Sequence, residues 1–280
     1  MNSYSVVMAV YAGDVAAHFR EAVGSVVGQT LPPNELIIVV DGPVVQDVEN
    51  ALGEISALAS IRIIRLKDNV GLGPARHLAI TEAKHSLVGV MDSDDICVLD
   101  RFEQQIEVLN GGQVGMVGGW IEEFDDRPQD VGRLRMTPVS HEDIYRFGKW
   151  RNPMNHVTIM FRKDAYEAVG GYRRIRYYED YDLVVRMLLA GIRFRNIPRV
   201  LVHVRCGSEM FGRRGGLDRM TNECRLLWRM YRQGYVNLGE MVINSVLRLP
   251  TRIIPSWLRR WIYCKFLRAV RPTISPGSMS

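Results

Sequence analysis

Val90-Met91-Asp92-Ser93-Asp94-Asp95 delivers three carboxylates into one short turn at the end of an apolar run. Leu87–Met91 reads as a buried strand. Hard divalent cations take oxygen ligands, and Mg²⁺ or Mn²⁺ commonly uses one or two carboxylates together with substrate phosphates. The same acids also fit a plainer reading, an acidic turn capping a helix that begins near Asp100. Upstream, Ser5–Val10, Glu35–Val40 and Ile61–Leu66 are short apolar runs rich in β-branched residues, and Val114–Trp120 reads as a fifth strand. Helical spacing fills the gaps. Phe19, Val23, Val26 and Val27 follow a candidate cap at Asp14, and Pro74 suits the first turn of a helix between the third and fourth strands. Strands alternating with helices predict an α/β fold, a mostly parallel sheet covered on both faces.

In such sheets ligands sit at the carboxyl ends of the strands. Those ends read Tyr11 to Asp14, Asp41-Gly42, Asp68-Asn69 and Asp92 to Asp95. Carboxylates close three of them, and an acidic mouth suits a metal ion better than a naked phosphate. Asn69-Val-Gly71-Leu-Gly73-Pro74-Ala75-Arg76 places a glycine-rich turn before a helix, with an arginine in its first turn. That suits a diphosphate, and a plain turn with a surface arginine fits as well. A dinucleotide loop would need its third glycine where Arg76 stands, and would belong in the first βα unit. Tyr177-Tyr178-Glu179-Asp180-Tyr181-Asp182 opens another helix. The helix dipole alone favours acids there, while a carboxylate base between aromatic walls would serve a sugar site.

Composition limits the field. The 280 residues are 47% hydrophobic and 24% charged, which excludes wholesale disorder and allows one large domain, or a domain with an appendage. No stretch approaches the roughly 18 uncharged apolar residues of a membrane-spanning helix. Met1 to Tyr4 carries no basic start or cleavage site, so no secretory signal is expected. Cys97, Cys206, Cys224 and Cys264 form no CxxC pair, which disfavours a zinc or disulfide framework and fits a reduced cytoplasmic setting. The net charge of +5 is unevenly spread: residues 205–280 hold 14 bases and four acids, residues 1–204 hold 22 bases and 27 acids. A basic tail on an acidic body points to an anionic partner, whether nucleic acid, phosphate or lipid headgroups.

Taken in order, these motifs resemble the family 2 inverting glycosyltransferases over about Ser5 to Arg205. Val6 to Tyr11 is similar to the family's opening strand, and Gln29-Thr30 stands where a QT or QS pair is usual. Val39-Val40-Asp41-Gly42 resembles a VDDG turn in which Val40 replaces the first acid. Asn69, Gly71, Leu72, Ala75 and Arg76 match an N-x-G-L-x-x-A-R pattern, with His77 where Asn is commoner. Asp92-Ser93-Asp94 matches the DXD motif and Glu179-Asp180 the ED motif. Asn152 to His156, Gly170-Gly171-Tyr172 and Gly212-Arg213-Arg214-Gly215-Gly216 resemble the amylovoran-biosynthesis type of bacterial exopolysaccharide and O-antigen transferases. The QxxRW signature of processive synthases is missing, so one sugar per encounter is expected.

The resemblance implies a GT-A fold, a Rossmann-like central sheet flanked by helices, over residues 1–210. Residues 211–280 would be a basic loop and a C-terminal helical extension. It implies a nucleotide-sugar donor, UDP first and dTDP second, with Asp41 accepting the base's N3–H, Tyr11 against the ring, and Ala9 and Val10 lining the pocket. Asp94 would hold Mn²⁺ or Mg²⁺, while Asp92, with Ser93 beside it, would hold the ribose and orient the metal. Gly71 and Arg76 would face the diphosphate, with Arg213 and Arg214 sharing that charge on a loop able to close. Asp180 is the expected base and Glu179 the alternative. His156 fits either a hydrogen-bonded structural role or a place at the metal or acceptor. Trp150, Tyr172, Tyr177 and Tyr178 fit either an acceptor platform or ordinary core.

Residues 218–271 read as helices, with Leu226, Leu227, Met230 and Tyr231 packing on the body. In Ser256–Arg271, Leu258, Ile262, Phe266 and Ala269 share a side, with Trp257 and Trp261 nearby. That pattern fits contact with an anionic membrane surface, at the inner face where lipid-linked acceptors of such enzymes lie, and it also fits fold closure or a homodimer. A sugar nucleotidyltransferase would want G-x-G-T-R near the first strand, where Tyr11-Ala-Gly-Asp14 stands. A non-catalytic scaffold would have no need of Asp92, Asp94 and Asp180, and no motif supports nucleic-acid binding.

Overall fold

Seven consecutive residues, Tyr4–Val10, are buried, as a strand covered on both faces requires. In this computed structural model, which describes residues 3–124, 132–206, 216–250 and the backbone of 269–270, that strand (β1) lies at the centre. It pairs in parallel with β2 (Glu35–Val40) on one side and β4 (Leu87–Val90) on the other, with Val7 opposite both Ile37 and Val90. The strand β3 (Ile61–Arg65) continues beyond β2, also parallel. The order β3-β2-β1-β4 puts the chain's reversal between β1 and β4, and a crevice opens outside their carboxyl ends.

Alternation along β1 builds both faces. Tyr4, Val6, Met8 and Val10 join Phe19, Val23 and Val26 of α1 (Ala16–Val27) and Phe102 and Ile106 of α4 (Arg101–Asn110). Val7 and Ala9 join Ala75, Ala79 and Ile80 of α3 (Leu72–Glu82) and Leu183, Val184 and Met187 of α7 (Glu179–Leu189). Each fully buried aliphatic side chain contributes about 1.5–3 kcal/mol. Gln29, in the QT pair, is buried and fastens these parts. Its amide donates to the Ser25 and Val98 carbonyls, and its oxygen accepts from Phe102 N–H.

The other half of the sheet is mixed. The expected fifth strand is β6 (Met116–Phe124), but β8 (Met160–Arg162) separates it from β4, antiparallel to both. On the far side β7 (Arg133–Arg135) is antiparallel to β6. The long β9 (Phe194–Arg205) runs parallel to β6 and antiparallel to the short β5 (Ile96–Cys97).

Two local readings change. Val15, not Asp14, occupies the N-cap of α1, and Asp14 turns to the crevice instead. The helical reading of 218–271 holds for α8 (Leu217–Arg232) and α9 (Leu238–Arg248), but Ala269 and Val270 form β10 on β7. Ladder pairing overrides the helical pattern there. Leu226, Leu227 and Met230 sit in the same core as α7, with Tyr231 against it, as the stripe predicts. Residues 256–268, with Trp257 and Trp261, lie outside the described residues, and among those described no helix is long and apolar enough to cross a membrane.

Candidate active site

The ends of β1, β2 and β4 converge on a cleft of about 480 Å³. Ala9, Val10, Tyr11, Asp41, Gly71, Arg76, Asp92, Ser93 and Asp94 all line it. Thus every residue expected at the nucleotide stands together except Arg213 and Arg214, which lie outside the described residues. Asp14, at the end of the first strand, joins them. One of its carboxylate oxygens accepts from Tyr11 N–H at 2.7 Å, the other from the Ser93 hydroxyl at 3.0 Å, so it ties β1 to the acidic turn across the crevice. Tyr11 is 43% exposed at the mouth. Gly13 lies under its ring, where a Cβ would come within 2.5 Å of the phenol oxygen.

Asp41 is buried and has a second task. Its two oxygens accept from Val70 N–H at 2.7 Å and Gly71 N–H at 3.0 Å, while its carbonyl accepts from the Asn69 amide at 3.1 Å. The carboxylate pins the turn that caps α3, and each oxygen keeps a second lone pair.

Arg76, buried in the first turn of α3, donates to Asp92. Its Nε finds no partner among the described residues. Burial opposes its charge, but Asp92, Tyr172, Glu179 and Asp180 outweigh that and hold it above the ordinary range. Asp94 is pushed up to about 6, first by burial and then by the negative charges of Asp92 and Asp14. Asp95 is raised too, by burial and then by Asp94, although Arg205 N–H donates to it at 2.9 Å. Arg205 also reaches Glu21 at 2.6 Å and lies 4.8 Å from the Phe124 ring centre, bracketing the turn from the end of β9.

Crowded carboxylates that burial and mutual repulsion push toward protonation are what a divalent cation relieves. Among the described residues no three metal-binding side chains converge as a cage, so such an ion would complete its shell with diphosphate oxygens and water. Two carboxylates, Asp94 and Asp92, beside a cleft open to a diphosphate are a donor chemistry that fits Mg²⁺ or Mn²⁺.

Glu179 and Asp180 open α7, with Tyr178 at its N-cap. Asp180 accepts from the Asn152 amide at 2.9 Å and from Tyr181 N–H at 2.7 Å, and burial raises its pKa. Burial and then the Asp180 charge push Glu179 up to about 7. Its Oε2 is buried without a hydrogen bond among the described residues. Gly73 leaves room for it, since a Cβ there would stand 3.3 Å from Glu179 Cγ. Glu179 borders a second cleft of about 780 Å³ with Arg174, Arg176 and Tyr177, and this cleft shares Asn69, Gly71 and Leu72 with the first. Arg76 feels the charges of Asp92, Glu179 and Asp180 together, so both acidic motifs surround one guanidinium.

The aromatic candidates divide. Tyr177 borders the second cleft at φ +74°, with Arg176 and Arg219 4.9 and 4.8 Å from its ring centre. Tyr172 and Tyr178 are each 6% exposed and line neither cleft. His156 bonds the Tyr172 hydroxyl, and burial followed by the Arg76 charge holds its pKa well below the usual range. That is the hydrogen-bonded structural role. Trp150 stands apart, its carbonyl taken by Arg248. Asp14 at the first strand end and Asn152 in the Asn152–His156 stretch are visible in the sequence without a site role attached to either, and Arg205 is a common residue type outside any motif.

A mixed sheet whose parallel half opens a switch-point crevice lined by carboxylates, with Glu179 bordering a neighbouring cleft and Asp180 lining neither, is the architecture of the GT-A glycosyltransferases. Residues 5–170 match the family described as Glycosyl transferase family 2, and the chain belongs to it. It is 34% identical to the UDP-Gal:alpha-D-GlcNAc-diphosphoundecaprenol beta-1,3-galactosyltransferase of Escherichia coli, over 95% of this chain and 96% of the relative. It is 32% identical to the amylovoran biosynthesis glycosyltransferase AmsE of Erwinia amylovora, over 94% and 98%. The mannosyltransferase PcManGT of Pyrobaculum calidifontis, solved with GDP-Man and Mn²⁺, shares the fold at TM-score 0.66 and 15% identity, over 93% of this chain and 74% of that one.

Proposed function

We propose that this enzyme transfers one sugar from a UDP-sugar to a hydroxyl of a lipid-linked saccharide, with inversion, in bacterial surface-polysaccharide synthesis. The observation that carries this reading is the meeting of two clefts at Asn69, Gly71 and Leu72, with Asp92 and Asp94 in one and Glu179 beside the other. Donor and acceptor then meet over Arg76. The relatives' names support the acceptor class, and one supports UDP.

In this reading Asp41 offers a remaining lone pair to N3–H of uracil, or of thymine as second choice, and Tyr11 covers the ring. Asp92 holds the ribose, and Asp94 with Asp92 holds Mn²⁺ or Mg²⁺. A cation held there would supply charge neutralisation at the departing diphosphate. Asp180 takes the acceptor's proton, kept in orientation by Asn152, and Glu179 is its alternate. Tyr177 flanks the acceptor. Residues 1–210 form the catalytic unit and 211–280 its extension, which brings the enzyme to the inner face of the membrane.

The test is UDP release and product analysis with UDP-galactose and a GlcNAc-diphosphate-lipid acceptor, with NMR of the new linkage. An inverted linkage formed only with divalent cation is expected. A retained anomeric configuration, or full turnover in EDTA, would refute it.

A further inference from the structure

Arg101 is the first residue of α4, and its side chain is wholly buried. Two effects oppose a cation there. Burial strips its water, and the positive end of the helix dipole repels it. Among the described residues its guanidinium meets no carboxylate, only neutral acceptors.

Those acceptors account for the position. Nη2 donates to the Val90 carbonyl at 2.8 Å, and Nη1 lies 3.3 Å from both Met91 Sδ and Cys97 Sγ. Val90 and Met91 lead into the turn Asp92 to Asp95, and Cys97 follows it. One planar fork therefore grips both sides of the acidic turn. The Cys97 thiol adds a contact to Met91 Sδ at 3.3 Å, which closes the neck. One helical turn along, Gln105 is fully buried too. Its oxygen accepts from Arg101 Nε at 3.0 Å, while its amide donates to the carbonyls of Thr158 at 2.7 Å and Val117 at 3.3 Å. The fork is thus itself held in place, with the Phe102 ring centre 4.6 Å from the guanidinium carbon.

The turn has reason to be clamped, because its acids repel: Asp94 feels Asp92 and Asp14, and Asp95 feels Asp94 and Asp92. A guanidinium satisfied by neutral acceptors keeps its charge, and Cys97 is near enough to feel both Arg101 and Asp95. Arg101 itself lines neither cleft. We propose that Arg101 is a positioning residue for the cation, fixing Asp92 and Asp94 at the cleft by holding the two ends of their turn. This rests on the cation site proposed above at those two acids.

The test is Arg101→Lys, which keeps the charge and loses the fork. Mn²⁺ is titrated into the full chain with UDP present and followed by electron paramagnetic resonance, beside UDP binding in EDTA, melting curves and steady-state kinetics. The Mn²⁺ dissociation constant should rise roughly ten-fold or more. UDP affinity in EDTA, carried mainly by Asp41 and Tyr11, and kcat at saturating Mn²⁺ should change far less. Should Arg101→Lys fail to fold, Met91→Leu with Cys97→Ala removes the two sulfur contacts and should shift the Mn²⁺ constant in the same direction. A folded variant that binds Mn²⁺ as wild type does, whatever its melting temperature, would overturn the proposal and leave Arg101 a pillar of the core. A wild type that binds no Mn²⁺ beside UDP would remove the cation site and this inference with it, so the two failures are distinct.

Discussion

Asp180 and Glu179 are neighbours with different surroundings. Two hydrogen bonds hold Asp180 in place, whereas Glu179 is pushed up to about 7 by burial and by Asp180. Asp180→Asn keeps the size and removes the proton acceptor, so kcat should fall roughly 10²–10⁴-fold while nucleotide binding survives. Steady-state kinetics beside a nucleotide titration checks both, and a collapse on Glu179→Gln alone would transfer the role. Glu179 also sets a pH signature. Its folded pKa lies above its ordinary 4.5, so between about 4.5 and about 7 the native state holds a proton that the unfolded chain has released. Its contribution therefore declines as pH rises through that window and is flat above it. Melting curves should show wild type losing more stability across that window than Glu179→Gln; parallel profiles would contradict the assignment. For Asp94, whose carboxylate is crowded by Asp92 and Asp14, replacement by alanine should raise the melting temperature without metal while abolishing turnover. A variant that melts lower and still turns over would place the metal elsewhere.

Gly71, at the N-cap of α3, has φ +89° and ψ +159°, a region that side chains with a Cβ rarely enter. Space is not the obstacle, since a Cβ there meets nothing within 4 Å. Gly71→Ala should therefore cost on the order of 1–3 kcal/mol in urea unfolding, and it should raise KM for the donor because Asp41 holds this turn at the cleft. Unaltered KM would separate the turn from the nucleotide. Elements of this kind were legible where the chemistry has one solution. Continuous apolar runs mark β1, β2 and β4 within a residue or so, because a strand buried on both faces tolerates little else, and β3, half-buried at the edge, shows by its three isoleucines interleaved with arginines. The strand β8 has three residues, and β9 carries Pro198, Asn196 and four arginines or histidines, so neither has a period to read. Asp14 differs from the expected cap because a side chain that can cap a helix equally accepts bonds from Tyr11 and Ser93.

At the scale of the molecule, the carboxyl ends of three strands form one cleft, so a ligand bound there stabilises the parallel half of the sheet as a unit. Which nucleotide does so follows from the cleft's chemistry. Asp41 only accepts hydrogen bonds, and beyond those from Val70 and Gly71 each of its oxygens keeps one lone pair, which can serve N3–H of a pyrimidine. The Tyr11 ring overlies Gly13 at the mouth, and the pyrimidine reading proposed above takes the base to lie against that ring. UDP with Mn²⁺ should therefore raise the melting temperature more than GDP with Mn²⁺, and dTDP should come close to UDP, since one methyl discriminates by only about 1–3 kcal/mol. At 100 times Kd the linkage gives about 2.7 kcal/mol, which for a chain of this size corresponds to about 5 °C or more. Asp41→Ala should abolish most of that shift and also lower the melting temperature without ligand, because the 69–71 turn loses its anchor. Gly13→Ala, which displaces the Tyr11 ring without touching Asp41, should reduce the UDP shift and leave the turn intact. A larger shift with GDP than with UDP, insensitive to both substitutions, would overturn the pyrimidine assignment and the place of Asp41 in it.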